Sequence, residues 1–332
     1  TYRDQKFLSS IGLGDLGPLH LGSVIKRPGE VWGEVSRIAA IELGLRGKEG
    51  EEEFSSSFST SILVAVGTVD AFAGAVGSLG GSMSKTVRGK EEGGGGKAGH
   101  GNEGNVPMEA RLALICGTST CHLTCSPFPV YCPNVWGPFY DVLGTGMWVS
   151  EGGISASGKL IDFLLETHPA YSEAMQKAAD EEEGTGHVQQ YLHNHLASMA
   201  TAQGLPSLAL LTPYLHVGPD FAGNRCPIGD PALAGSIVGL TLNASSLDSL
   251  ALLYLATLQA LALGTKHIID ALHAAGHPGR ISHLFISGGL GLKNELFCQV
   301  HADVTQCTLV LPPAKMEGVL LGSAMLAATA AG

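Results

Sequence analysis

Residues 111–120 read RLALICGTST. Five apolar positions in a run of six, then a glycine and three hydroxyl residues, predict a buried strand that ends in a Gly-Thr turn. The same grammar recurs at HLFISGG (283–289), where a strand ends in paired glycines, and at ILVAVGT (62–68), where a buried strand runs to Gly67-Thr68 and then to a lone Asp70. Glycine at a strand end lets backbone amides approach phosphate oxygens, and a glycine turn ahead of a helix presents the helix's free amides. Each signal alone is weak, because such a glycine is usually only a turn. Together they point to a nucleotide held between two domains.

Strands alternate with helices along the rest of the chain, so the class is α/β. Helical pattern covers much of 156–203, opening with the amphipathic LIDFLLE and breaking at DEEEGTGH. ALLTPYLHV (209–217) reads as a strand, 248–276 as a long helix, NELFCQVHADVTQ as a helix, LVLP (309–312) as a short strand and EGVLLGSAMLAATAA as the last helix. Two stretches, 46–60 and 84–105, are charged or glycine-rich and read as disordered surface insertions.

The chain has 332 residues, 45% of them apolar and 15% charged, with a formal net charge of -11. An acidic chain carries no electrostatic footprint for nucleic acid or an anionic membrane. LALLYLATLQALALG (250–264) is too short for a span of about 20 residues and contains Gln259, so it reads as a buried core helix. The 7 cysteines form no CxxC pair and read as reduced thiols of a cytoplasmic protein. The thirteen histidines show no ligand spacing. GISASGKL (153–160) fits a P-loop except at Leu160, where the magnesium-binding hydroxyl belongs. The segment before it, GTGMWVSEGG, is a poor strand, so Lys159 reads as a surface lysine. Asp220 and Arg225 in PDFAGNRCP read as a loop-bracing pair.

Six stretches resemble the FGGY family of carbohydrate kinases, in its ribulokinase-like branch: VAVGTVDAFAGAVGS (64–78), LALICGTSTCHL (112–123), NVWGPFYDVLGTGMWVSEGGISASGKLID (134–162), HVGPDFAGNRCPIGDPALAGSIVGL (216–240), LYLATLQALALGTKHIIDALHAAGH (253–277) and FISGGLGLKNELFCQVHADVTQ (285–306). The resemblance implies an actin-like, ribonuclease H-like sugar-kinase fold. Residues 1–83 would be the tail of the sugar-binding domain, 84–106 a linker and 107–332 the ATP-binding domain. It implies ATP and Mg2+ as cofactors, a small sugar as partner, and transfer of phosphate to a ketopentose, D-ribulose first among them; a homodimer is left open. Asp70 matches the general base, and as a substrate contact is joined by Glu151. Gly117, Thr118 and Ser119 match the turn that meets the terminal phosphates. Gly288, Gly289 and Asn294 match the adenosine side. No protein metal ligand is implied.

A lone carboxylate at a helix start suits a general base, because the helix dipole favours its ionised form. The competing reading from spacing alone is an N-cap aspartate. Three departures from the family pattern stand out. No Asp-x-Gly-Thr hairpin precedes Asp70, Ile154 replaces a glutamine, and GGLGLKN is one residue longer than usual. The chain opens on Thr1 rather than Met and reads as the later part of a longer protein, with a non-catalytic nucleotide-binding module as the alternative.

Overall fold

The computed structural model describes residues 4–17, 20, 22, 24–45, 62–80, 85–89, 106–180, 187–312 and 317–332. It groups the chain into two compact units, Thr1–Gly67 with Leu326–Gly332, and Thr68–Met325.

In the smaller unit, α1 (Gln5–Ser10) and α2 (Arg37–Glu42) accompany an antiparallel pair, β1 (Val31–Glu34) and β2 (Leu63–Ala65). The strand expected at 62–68 is thus short, and Leu63 and Val64 are 40% and 38% exposed rather than buried. Among the described residues only β1 pairs with it.

The larger unit is built on a sheet of 7 strands in the order β3 (Lys85–Val87), β11 (Thr308–Leu311), β10 (His283–Ser287), β4 (Arg111–Cys116), β5 (Thr120–Ser126), β7 (Trp148–Ile154), β6 (Trp136–Tyr140). β11, β10 and β4 run parallel, and the outer strands are antiparallel to their neighbours. Side chains alternate across the sheet. Leu112, Leu114 and Cys116 therefore face one layer, and Ala113 and Ile115 the other.

The first layer is the main core. It centres on α7 (Leu247–Ala274), one unbroken helix of 28 residues, flanked by α4 (Gly158–Glu166), α5 (Tyr171–Asp180), α6 (Val188–Ala202) and α9 (Glu295–Thr305). By length and composition α7 could cross a membrane, but 67% of its most apolar window is packed inside, as in a core helix. Ala71, Phe72, Ala75 and Leu79 of α3 (Asp70–Leu79) cover the opposite face, against Ala113, Leu123, Val149 and Phe285.

Three sequence expectations change here. The disordered insertion at 84–105 begins with a paired strand, β3, whose register against β11 runs Leu309 to Val87, Val310 to Thr86 and Leu311 to Lys85. The rest of that stretch beyond residue 89, and all of 46–60, lie outside the described residues, as do 181–186 of the polar break. The strand expected at 209–217 shortens to β8 (His216–Gly218), paired with β9 (Ser236–Val238). Ser207 caps a turn of 3-10 helix over Leu208–Leu211, and Pro213 lacks the N–H a central strand needs. The stretch taken for a poor strand, GTGMWVSEGG, holds most of β7, which pairs on both sides.

Candidate functional site

Helix α3 fixes the geometry of the site. Arg111, at the start of β4, donates from Nη1 to the carbonyl of Leu79 at the end of α3 (2.7 Å). Midway, a Cβ on Gly74 would touch Ile115 (3.0 Å). The helix therefore runs antiparallel to β4, and its first residue, Asp70, lies at the strand-end edge where β4 turns through Gly117-Thr118-Ser119. At that edge Gly288 follows β10 with φ +91, and its Cα packs so tightly on the Cys116 carbonyl that no Cβ fits. Only glycine combines that conformation with that approach.

Asp70 is the first helical residue, and Val69 is the N-cap, without a side-chain bond. The Asp70 carboxylate is exposed, and its Oδ1 accepts the adjacent Ala71 N–H (2.7 Å). The helix-cap reading therefore does not describe this residue.

A cleft of about 290 Å³ opens beside the turn, lined by Gly117, Thr118, Gly158, Lys159, Asp162, His187, Gln189, Gly289, Leu290 and Lys293. Gly117 and Thr118 are tied to the start of α4: Ser157 N–H donates to the Thr118 carbonyl (2.8 Å) and Gly158 N–H to the Gly117 carbonyl (3.0 Å). Those bonds consume the amides a P-loop would offer to phosphate, although a strand does precede this helix. Lys159 is nonetheless at the cleft rather than on an idle surface.

Of the six residues expected to meet nucleotide, Gly117, Thr118 and Gly289 line the cleft, with Ser119 and Gly288 in the turns behind them. Asn294 does not line it. It is 7% exposed, its Oδ1 accepts the Phe297 N–H (2.9 Å) to cap α9, and its Nδ2 donates to Tyr254 OH (2.7 Å) and Gln189 Oε1 (3.0 Å). α8 (Gly289–Lys293) ends immediately before it, so Lys293, one position earlier, takes the place at the cleft.

Glu151 lies mid-strand in β7, opposite Leu123 and Trp136, on the face that α3 covers. It is half-buried. Burial raises its pKa first, the Cys121 thiol and Arg225 oppose that rise, and the charge of Asp70 adds to it. The charge of Asp70 therefore reaches Glu151 from the helix on the same face of the sheet. Burial, then Glu151, pushes the Cys121 thiol up to about 11. Asp220 and Arg225 form no brace: Asp220 Oδ1 accepts from Asn224 Nδ2 (2.8 Å), while the Arg225 guanidinium lies over the Trp136 ring (5.3 Å). Among the described residues no cluster of three or more His, Cys, Asp or Glu is placed to hold a metal, and none of the 7 cysteines is in a disulfide.

Sequence reading missed Asp162, His187, Gln189 and Lys293. Lys159 and Asp162, three apart on the polar side of an amphipathic helix, were the available signal.

Residues 112–331 match the FGGY family of carbohydrate kinases, C-terminal domain. An FGGY carbohydrate kinase domain-containing protein of Xenopus laevis is 42% identical over 99% of this chain and 54% of its own length. A D-ribulokinase of Saccharomyces cerevisiae is 33% identical over 98% of this chain and 43% of its own length. The chain thus spans about half the length of the curated relatives it matches. Among solved structures, a xyloylose kinase from Brucella ovis superposes with TM-score 0.64 at 18% identity, covering 99% of this chain and 52% of that one. A Plasmodium falciparum glycerol kinase with ADP gives 0.60 at 16%, covering 99% and 51%. At such identities the likeness shows the fold, the actin-like architecture expected from sequence. The residues of the strand-end turns, the sheet that carries them and these relatives agree: the chain belongs to the FGGY family of carbohydrate kinases.

Proposed function

We propose that this chain carries the nucleotide cleft of an ATP-dependent sugar kinase whose acceptor is a ketopentose, D-ribulose, phosphorylated at its terminal hydroxyl. The observation that carries the reading is the convergence of Asp70, the Gly117–Ser119 turn and Gly288-Gly289 on one edge of the sheet. Phosphoryl transfer asks mainly for positioning and charge neutralisation. Thr118 offers a hydroxyl, and Lys159 and Lys293 offer positive charge to the phosphates. Asp70, exposed at the helix start, accepts the proton of the attacking hydroxyl, and Glu151 holds the sugar. The choice of D-ribulose is supported by the name of the yeast relative.

Magnesium binds largely through substrate phosphates and one or two carboxylates, retaining water. Thr118 and Asp162 at the cleft are hard oxygen donors of that kind, so the donor chemistry suits a nucleotide-borne ion. When bound, it neutralises phosphate charge. On this reading residues 107–332 form the ATP-binding domain and 1–83 end the sugar-binding domain, with the 84–106 stretch between them contributing β3 to the sheet.

The test is ADP release by the complete protein with magnesium-ATP and a panel of D-ribulose, L-ribulose, D-xylulose and ribitol. The reading expects the highest kcat/KM with D-ribulose. ATP binding without ADP release on any sugar would assign a non-catalytic nucleotide-binding module instead.

A further inference from the structure

Arg225 has no place in the roles above, yet its surroundings fix it closely. Its loop is pinned on both sides. Asn134 Nδ2 donates to the carbonyls of Pro227 (3.0 Å) and Ile228 (2.8 Å), and Asn224 Oδ1 accepts the Ile228 N–H (3.0 Å). The side chain then crosses β7 at Gly153, where an added Cβ would lie 2.9 Å from Cδ and 3.0 Å from Nη1. The guanidinium comes to rest over Trp136, 5.3 Å from the ring centroid. Trp136 is the cross-strand partner of Glu151, and Gly153 lies two residues from Glu151 on the same face. These contacts hold the guanidinium on the face of β7 that carries Glu151. Arg225 and Glu151 form no ion pair, and the carboxylate also receives the Cys121 thiol.

We propose that Arg225 is a positioning residue of the acceptor site: lodged over Gly153 and stacked on Trp136, its guanidinium sets the charge environment in which Glu151 meets a hydroxyl of the sugar. The proposal rests on the kinase reading. An ionised carboxylate accepts two hydroxyl protons, whereas a protonated one competes as a donor. The groups that act on Glu151 are Cys121 from β5, Asp70 from α3 and Arg225 from its loop. Burial and Asp70 favour the protonated form, so Arg225 is the full positive charge on the other side of the balance. Gly153 belongs to the same device, because any side chain there displaces the arginine.

The test uses the complete protein and two readouts. In steady-state kinetics, Arg225→Met raises the acceptor KM about tenfold, leaves the ATP KM within about twofold, and moves the acid limb of kcat/KM to higher pH, with partial rescue by Arg225→Lys. Gly153→Ala behaves like Arg225→Met. Independently of turnover, the carboxylate infrared band lost in Glu151→Gln titrates at higher pH in Arg225→Met than in wild type. Equal rises in both KM values with an unchanged acid limb, or an unmoved carboxylate midpoint, overturn the proposal. If wild type phosphorylates no sugar, the kinase reading falls and takes the positioning role with it. The infrared midpoint then reports only the charge coupling, so the two failures are distinguishable.

Discussion

The amide of Gly158 donates to the carbonyl of Gly117 at 3.0 Å, and a Cβ on Gly158 would lie 2.7 Å from that oxygen. The turn proposed to meet the phosphates is therefore held against the start of α4 by a contact only glycine permits. Gly158→Ala must push the turn out of place. ATP affinity is expected to fall about tenfold or more by calorimetry, which is about 1.4 kcal/mol, with the far-UV spectrum unchanged.

A second glycine contact governs stability. α10 (Gly318–Ala331) crosses α3 where Gly322 lies against the Ala73 carbonyl and Gly77 against Gly318, both too close for any Cβ. Gly322→Ala overpacks this crossing and should cost about 1–3 kcal/mol in urea unfolding. Gly289→Ala is the contrast, since a Cβ there meets nothing within 4 Å. It should leave stability unchanged and weaken only ATP binding, because the methyl enters the cleft.

Asn294 separates a structural from a nucleotide role. Its side chain caps α9 and satisfies Tyr254, so Asn294→Ala should lower stability by about 1–2 kcal/mol. The loss of ATP affinity should be smaller than for Gly158→Ala. Parallel melting and ATP titrations check this.

Acid should unfold the larger unit through two buried imidazoles. His122, bonded to Thr265 Oγ1 (3.0 Å), is pushed down to about 3, and His301 to about 4, by burial first. In the unfolded chain both take a proton near the ordinary imidazole value of 6.5. Stability is therefore full above that pH and declines as pH falls toward the folded values, because only the unfolded state binds the proton. His301→Leu should flatten the decline between pH 6.5 and about 4 in urea midpoints measured across pH.

How far the chain could be read varied for physical reasons. β10 and α7 were legible because burial writes continuous apolar runs. β7 was hidden by Gly152 and Gly153, residues that weaken a strand. Those glycines admit Ile268 and Cys226 on one face and Arg225 on the other, so the feature that obscured the strand lets side chains pack closely on both of its faces. β3 was hidden by three residues of strand at the edge of a glycine-rich stretch. At the site, Gly117, Thr118 and Gly289 were legible from glycine grammar at strand ends. Lys293 and Arg225 were not, since only the fold decides which way a long cationic side chain leaves its helix or loop.

The central claim is that Asp70 takes the proton of the attacking hydroxyl. Its most direct test is Asp70→Asn in the complete protein, with sugar-stimulated ADP release and the ATP dissociation constant measured side by side. The account expects turnover to fall by about 10²–10⁴-fold or more while the ATP constant stays within about twofold. Turnover close to wild type would contradict it and leave Asp70 as no more than the first residue of α3.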